Sequence, residues 1–149
     1  MLPTIATAGW SSDWMWGISL IALSVVTHAA GLALIAIGLI KIFGPINDSR
    51  LRLHRRFIFF SLVIGLTAVL LALMHGIEAS YWAIGYVWLG AVPDFRRAIY
   101  FSLQMATTLG ADAVQPEEQW KLMGPLEAIS GMLLFGLSTA FLFAIMQRA

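Results

Sequence analysis

The chain has 149 residues, of which 60% are hydrophobic and 11% are charged, and its net charge is +1. A soluble domain carries about twice that share of charged residues, so the composition predicts a membrane protein. The net charge gives no indication of nucleic-acid binding, and the lack of cysteine excludes disulfides and thiolate metal sites.

Three apolar runs predict the membrane-spanning helices. Residues 18–40 and 57–77 contain no charged residue, and residues 126–146 contain one, Glu127. Each run is long enough to cross a hydrocarbon core of ~30 Å at ~1.5 Å per residue. The first helix carries no ladder of basic residues, so a voltage sensor is not expected.

The basic residues between the first two runs predict the orientation in the membrane. They are Lys41, Arg50, Arg52, Arg55 and Arg56. Because short loops rich in Lys and Arg face the cytoplasm, we expect a multi-pass protein of the plasma (inner) membrane, with its N-terminus outside and its C-terminus cytoplasmic. The aromatic residues expected to anchor it at the outer interface are Trp10, Trp14, Trp16, Tyr81, Trp82, Tyr86, Trp88 and Trp120.

The segment between the second and third runs contains a short predicted helix. Pro93-Asp94 is a helix-start signal, with Asp94 as the candidate N-cap. Residues 95–107 then predict a helix of about three turns, which is too short to span the bilayer. It suits a re-entrant helix whose C-terminal end points partial negative charge at a cation near the membrane centre. The extended stretch over 108–112 would line a water-filled path.

The stretch Ala106-Thr107-Thr108-Leu109-Gly110-Ala111-Asp112, followed by an apolar segment with Phe135-Gly136-Leu137, resembles the pore loop and inner helix of the tetrameric cation channels. In potassium-selective members the filter reads Thr-Thr-Val-Gly-Tyr-Gly-Asp, and its backbone carbonyls replace the hydration shell of the ion. The inner-helix pattern is matched by Gly131, Phe135, Gly136, Thr139 and Ala140. The resemblance implies an all-α fold with three transmembrane helices, a re-entrant pore helix and a filter loop, assembled as a homotetramer in the lipid bilayer.

The resemblance also implies roles for individual residues. The selectivity filter would consist of Thr107, Thr108, Leu109, Gly110, Ala111 and Asp112. The inner pore would be lined by Met132, Phe135, Thr139 and Phe143, unless this stripe packs against a neighbouring helix. Gly131 would be a hinge. The single membrane domain, 1–149, would comprise an outer N-terminal segment (1–16), a peripheral helix (17–43), a basic cytoplasmic loop (44–56) and a pore module (57–148).

The end of the filter departs from the potassium pattern. Ala111 and Asp112 stand where the family has Tyr-Gly, so a bracing ring and a permissive glycine are lost. The departure favours a channel that selects poorly between Na⁺ and K⁺. Read with a one-residue deletion, Asp112 instead follows a shortened filter. In either alignment four Asp112 carboxylates would ring the outer mouth and could hold a divalent ion such as Ca²⁺.

One carboxylate within the third apolar run is a candidate support for the filter. Glu127 would bond to Gln104, Thr107 or Tyr100 of the pore helix, or it would reach water near the outer interface. A potassium-selective channel, a divalent-conducting channel and a non-conducting pore relative are the alternative functions. No enzymatic activity, no cofactor and no nucleic-acid partner are expected.

The histidines raise a different alternative. His28 and His75 lie at similar depth on antiparallel helices, which is what a bis-histidine haem would need. That alternative leaves the Thr-Thr-Leu-Gly stretch unexplained. His75 and Glu78 lie one turn apart and are expected to pair with each other, or with Glu127 in a pH-sensitive cluster.

Overall fold

The computed structural model describes residues 5–43, 53–111 and 114–147, and the regular elements in these ranges are helical. They are α1 (Ile5–Phe43), α2 (Leu53–Trp88), α3 (Phe95–Ala106), a 3-10 turn (Glu118–Trp120) and α4 (Met123–Met146). The stretches long and apolar enough to cross a membrane are Ser11–Ile42, Phe57–Trp88 and Glu118–Met146. The expectation of an all-helical chain with three helices able to span a membrane is confirmed.

The ends of α1 and α2 differ from the sequence-based expectation. α1 begins at Ile5, so most of the expected N-terminal segment, 1–16, belongs to the first helix. α2 begins at Leu53, inside the expected loop, 44–56, of which 44–52 lies outside the described residues. Hydropathy marks only the part of a helix that lies in hydrocarbon. Helices of 39 and 36 residues extend well beyond a core of ~30 Å.

α3 begins where the sequence predicts. Asp94 has an extended backbone, and its Oδ1 accepts the backbone N–H of Arg97 at 3.0 Å. This contact satisfies one of the N–H groups that the first turn of a helix leaves without an internal partner. The helix predicted over 95–107 is observed as Phe95–Ala106, with Thr107 as its C-cap.

The hydrophobic core lies where α3 packs between α2 and α4. Its largest side chains are Trp82 and Tyr86 from α2, Phe101 and Met105 from α3, and Met123 from α4. Tyr86 and Phe101 meet edge to face, with ring centroids 5.1 Å apart. This packing holds α3 beside the C-terminal half of α2 and the N-terminal half of α4.

α1 packs closely on α2 and α4 through small residues. A Cβ added at Gly17 would overlap Leu126 of α4, and one added at Gly31 would overlap Met74 of α2. Small residues of this kind allow membrane helices to approach each other. α1 therefore packs on the other long helices within one chain, and its peripheral place relative to a pore stays a prediction.

Much of the outward surface of the long helices is apolar and uncovered within one chain. Exposed examples are Val26, Leu34, Leu62, Leu73 and Met132. Apolar surface of this extent marks contact with lipid or with another chain. The surface agrees with a membrane location.

Candidate functional site

The backbone changes direction immediately after α3. Thr108 has φ 58° and Gly110 has φ 86°. The N–H of Thr108 donates to the Met105 carbonyl and the N–H of Leu109 donates to the Gln104 carbonyl, each at 2.9 Å. These bonds close the helix with a left-handed C-terminal cap. Because Thr108 is β-branched, this conformation costs about 1–3 kcal/mol, and strain of this kind clusters at functional sites.

The expected filter residues follow this cap. Exposed within one chain are Thr107, Thr108, Leu109 and Gly110. Ala111 is half-buried against the hydrophobic core. Asp112, expected at the outer mouth as a divalent site, lies outside the described residues. The exposed side chains are available to an ion path or to other chains, and their role in selectivity stays a prediction.

Glu127 of α4 joins three helices in the core. Its side chain is 1% exposed, so it does not reach water at the outer interface. The Tyr86 hydroxyl donates to Glu127 Oε2 at 2.7 Å, and the Ser102 hydroxyl donates to Oε1. The Ser102 Oγ also lies 2.8 Å from the Ala79 carbonyl of α2, which is a second acceptor for the same hydroxyl proton. Glu127 therefore ties the middle of α3 to both α2 and α4.

The partners of Glu127 differ from those expected. In the described part of the chain its carboxylate bonds to Tyr86 and Ser102, not to Gln104, Thr107 or Tyr100. Ser102 and Gln104 point about 160° apart around a helix of 3.6 residues per turn, so they cannot face the same partner. Gln104 is buried, and its Oε1 has no hydrogen-bond partner among the described residues. Its support of the filter stays a prediction.

Two aromatic residues expected at the membrane interface lie in the core instead. Tyr86 is fully buried, and Trp82 donates its Nε1–H to Ser24 Oγ of α1 at 3.1 Å. A spacing of four residues places both on one face of α2, and that face packs inside the chain. Trp88 is 71% exposed and remains available as an interfacial anchor.

Gly131 lies against the C-terminal end of α3. A Cβ at this position would overlap the backbone of Ala106. α4 continues through Gly131 without interruption. The glycine lies about 12 Å from the start of α4 at ~1.5 Å per residue, so α3 ends well within the length of α4. Gly131 therefore has a packing role, and its role as a hinge stays a prediction.

The residues expected to line the pore share one side of α4. Exposed within one chain are Met132, Phe135, Thr139 and Phe143. The adjoining side, with Glu127, Gly131, Leu134 and Ser138, packs inside the chain. Phe135 also stacks on His75 of α2, with ring centroids 4.2 Å apart. The exposed stripe is available to a pore or to a second chain.

A second polar cluster joins α1, α2 and α4. His28 Nδ1 lies 2.7 Å from Glu78 Oε1, and His75 Nδ1 lies 3.1 Å from Glu78 Oε2. Ser138 Oγ lies 3.1 Å from Nε2 of both histidines. The expected pairing of His75 with Glu78 is observed. Neither His28 nor Ser138 is predicted from the sequence as a partner of that pair.

This packing argues against a haem between the histidines. The rings of His28 and His75 are 5.1 Å apart between centroids, and Glu78 and Ser138 bridge them. Two axial histidines would have the macrocycle in the plane between them. In the described structure the carboxylate and the hydroxyl occupy that position.

A cavity of about 20 Å³ lies between the two polar clusters. Its lining includes His75, Glu78, Ala106, Glu127, Ser130 and Gly131. Within the described residues, Glu78 Oε2 and Ser130 Oγ are buried and have no hydrogen-bond partner. A cavity of this size admits one water-sized molecule or ion.

The chain is similar in sequence to a known protein family. Residues 59–148 match the family model described as an ion channel, which covers more than half of the chain. No curated protein and no solved structure gives a significant match. The matched residues include α3, the stretch that follows it, and α4.

Proposed function

The chain belongs to the ion channel family, and from this premise we propose that it is a cation channel of the plasma (inner) membrane. The observation that carries the proposal is α3 together with the stretch that follows it. A capped helix of 12 residues ends against Gly131 and is followed by Thr-Thr-Leu-Gly, with positive φ at Thr108 and Gly110. The basic residues near the connection of α1 and α2 favour an outside N-terminus and a cytoplasmic C-terminus.

The placement of α3 suits a re-entrant pore helix. Its C-terminal end lies beside the interior of α4, so the partial negative charge of that end is directed at mid-membrane depth. Non-helical backbone at that depth is tolerated where protein buries it or where it lines a water-filled path. The stretch after α3 meets that requirement if it lines a pore.

Four copies of the chain would surround the pore. One filter stretch cannot enclose an ion, so several chains must contribute one each. Leu109 is 77% exposed within one chain, and the stripe on α4 that begins at Met132 is also uncovered. A neighbouring copy would cover these side chains. Fourfold symmetry is the arrangement that the resemblance to tetrameric cation channels implies.

We expect the permeabilities of potassium and sodium to differ by less than about tenfold, which corresponds to ~1.4 kcal/mol in barrier height. The reason is that Ala111 and Asp112 cannot supply the braced outer carbonyl rings of a Tyr-Gly filter. The measurement is the bi-ionic reversal potential of the purified tetramer in planar bilayers. The double change Ala111→Tyr with Asp112→Gly should raise the preference for potassium.

Ala111→Leu is the control for this experiment, because it adds bulk without restoring the phenol ring or the glycine. It should leave the permeability ratio unchanged. A wild-type potassium preference above about a hundredfold, ~2.8 kcal/mol, would contradict poor selectivity. A folded tetramer that carries no current would favour the non-conducting alternative.

External Ca²⁺ or Mg²⁺ is expected to block the monovalent current or to permeate in its place. Four Asp112 carboxylates near one axis would repel each other, and a divalent ion is their natural partner. Asp112→Asn keeps the size and removes the charge, so it should raise the half-blocking concentration by about tenfold or more. Glu117→Gln is the control and should change little. Unchanged block in Asp112→Asn would show that Asp112 points away from the pore, and Glu117 and Glu118 would then be the next candidates.

A further inference from the structure

We propose that His28, His75 and Glu78 form a binding site for a divalent transition-metal ion of the zinc class. Each side chain offers one ligand atom, and these atoms all lie within 4.8 Å of one another. Two imidazole nitrogens and one carboxylate oxygen are a ligand set that zinc, cobalt and nickel accept. The site brings together a residue of α1 and two residues of α2, of which His28 and Glu78 are buried and His75 is half-buried.

The ligand atoms lie close enough together for side-chain movements to bring them around one ion. In a tetrahedral site with ligands at ~2.0–2.1 Å, neighbouring ligand atoms are ~3.3–3.4 Å apart. The Nδ1 atoms of His28 and His75 lie 2.7 and 3.1 Å from the carboxylate oxygens of Glu78. These two contacts go to different oxygens of Glu78, and the three ligand atoms lie within 4.8 Å of one another, so the side chains must adjust their separations to surround one ion.

The contacts of Ser138 are compatible with a metal bound at the two Nδ1 atoms. Without a metal, His28 can donate from Nδ1 to Glu78 and accept the Ser138 hydroxyl proton at Nε2, while His75 donates from Nε2 to Ser138 Oγ. When the Nδ1 atoms bind a metal, each Nε2 carries a proton instead. Both can then donate to the two lone pairs of Ser138 Oγ. Metal-bound histidines commonly donate their second N–H to a partner in this way.

An unpartnered oxygen belongs to one of the three ligands, and a cavity adjoins two of them, His75 and Glu78. Glu78 is 5% exposed, and its Oε2 accepts no hydrogen bond of good geometry from the described residues, although His75 Nδ1 is 3.1 Å away. The cavity of about 20 Å³ is lined by His75, Glu78 and Ser130. It has room for the water that would complete a four-coordinate site.

A metal at this site would connect α1 to the part of the chain that matches the channel family. His28 precedes the matched residues, 59–148, whereas His75 and Glu78 lie within them. His75 also stacks on Phe135 of α4. The site does not depend on conduction, so it can be tested separately from the proposed channel function.

The test is titration of the purified full chain in detergent micelles with Zn²⁺ after treatment with a chelator. Equilibrium dialysis with elemental analysis should find one zinc ion per chain. His28→Gln, His75→Gln and Glu78→Gln should each weaken binding by about a hundredfold or more. Ser138→Ala removes no ligand and should weaken binding by about ten- to a hundredfold.

His54→Gln is the matched control, since His54 is the remaining one of the three histidines and is exposed. It should bind zinc like the wild type. Folded wild-type protein that takes up no zinc would overturn the proposal, as would uptake that His28→Gln and His75→Gln leave unchanged. Stability that depends on pH without any zinc uptake would show that the cluster holds a proton instead, and this result also overturns it.

Cobalt keeps the proposal testable if a variant does not fold. Wild-type protein loaded with Co²⁺ alone should show the visible absorption bands of a tetrahedral site. The weak bands of an octahedral, all-oxygen site would contradict the assignment, because they would place the metal on carboxylates without the histidines.

Discussion

Glu127→Ala is expected to destabilise the folded chain by about 2–4 kcal/mol and to remove most of the current. The change takes away the acceptor of the Tyr86 hydroxyl, which is fully buried, and leaves a void between α3 and α4. A buried hydroxyl without a partner costs ~1–3 kcal/mol, and a small cavity adds ~1 kcal/mol. The measurement is the midpoint of unfolding in detergent, together with current in bilayers.

Two variants show whether the buried contacts cause this loss. Glu127→Gln keeps the length of the side chain and one carbonyl oxygen, so it should destabilise less than Glu127→Ala. Glu118→Ala removes a carboxylate from the surface, where its pairing with Lys121 contributes about 0–1 kcal/mol. If Glu127→Ala unfolds at the wild-type midpoint, the carboxylate does not hold α3 in place.

The hydrogen bond between Tyr86 and Glu127 can be isolated with one further substitution. Tyr86→Phe removes the hydroxyl and leaves the ring that packs on Phe101. In the wild type it should cost ~1 kcal/mol, the usual net value of a hydrogen bond. In the Glu127→Ala background the hydroxyl is already unpaired, so the same change should be neutral or stabilising.

The helices and the start of α3 are predictable because their signals are local. A long apolar run must lie in hydrocarbon, and Asp94 caps α3 through a contact with Arg97, only three residues away. The ends of α1 and α2 are not predictable in this way. Nothing in hydropathy distinguishes a helix that stops with its apolar run from one that continues beyond it, as α1 does toward Ile5.

The polar contacts could not be assigned from the sequence because they depend on how each helix is rotated about its axis. Choosing Ser102 over Gln104 as the partner of Glu127 requires knowing which side of α3 faces α4. His28 meets Glu78 across 50 residues and Ser138 across 110. The available signal was the stripe of small and polar residues on α1, Gly17, Ser24, His28 and Gly31, which marks its packing side.

Gly131→Ala is expected to destabilise the chain by about 1–3 kcal/mol and to abolish most conduction. The added Cβ would overlap the backbone of Ala106, which cannot turn aside as a flexible side chain can. α3 must therefore shift, and the stretch that begins at Thr107 must shift with it. The effect is measured as the midpoint of unfolding and as the current per tetramer in bilayers.

Gly136→Ala is the matched control, because it makes the same chemical change on the same helix, and among the described residues the added Cβ meets nothing within 4 Å apart from its own stretch of helix. Alanine is favoured over glycine in a helix interior by ~1 kcal/mol, so this variant should be neutral or more stable. The pair also separates packing from hinge motion at Gly131. If Gly131→Ala loses current but keeps the wild-type unfolding midpoint, Gly131 acts as a hinge. If Gly131 is needed for packing against Ala106, the current and the unfolding midpoint must both fall. Wild-type current and stability in Gly131→Ala would show that α3 does not end against α4 in the working channel.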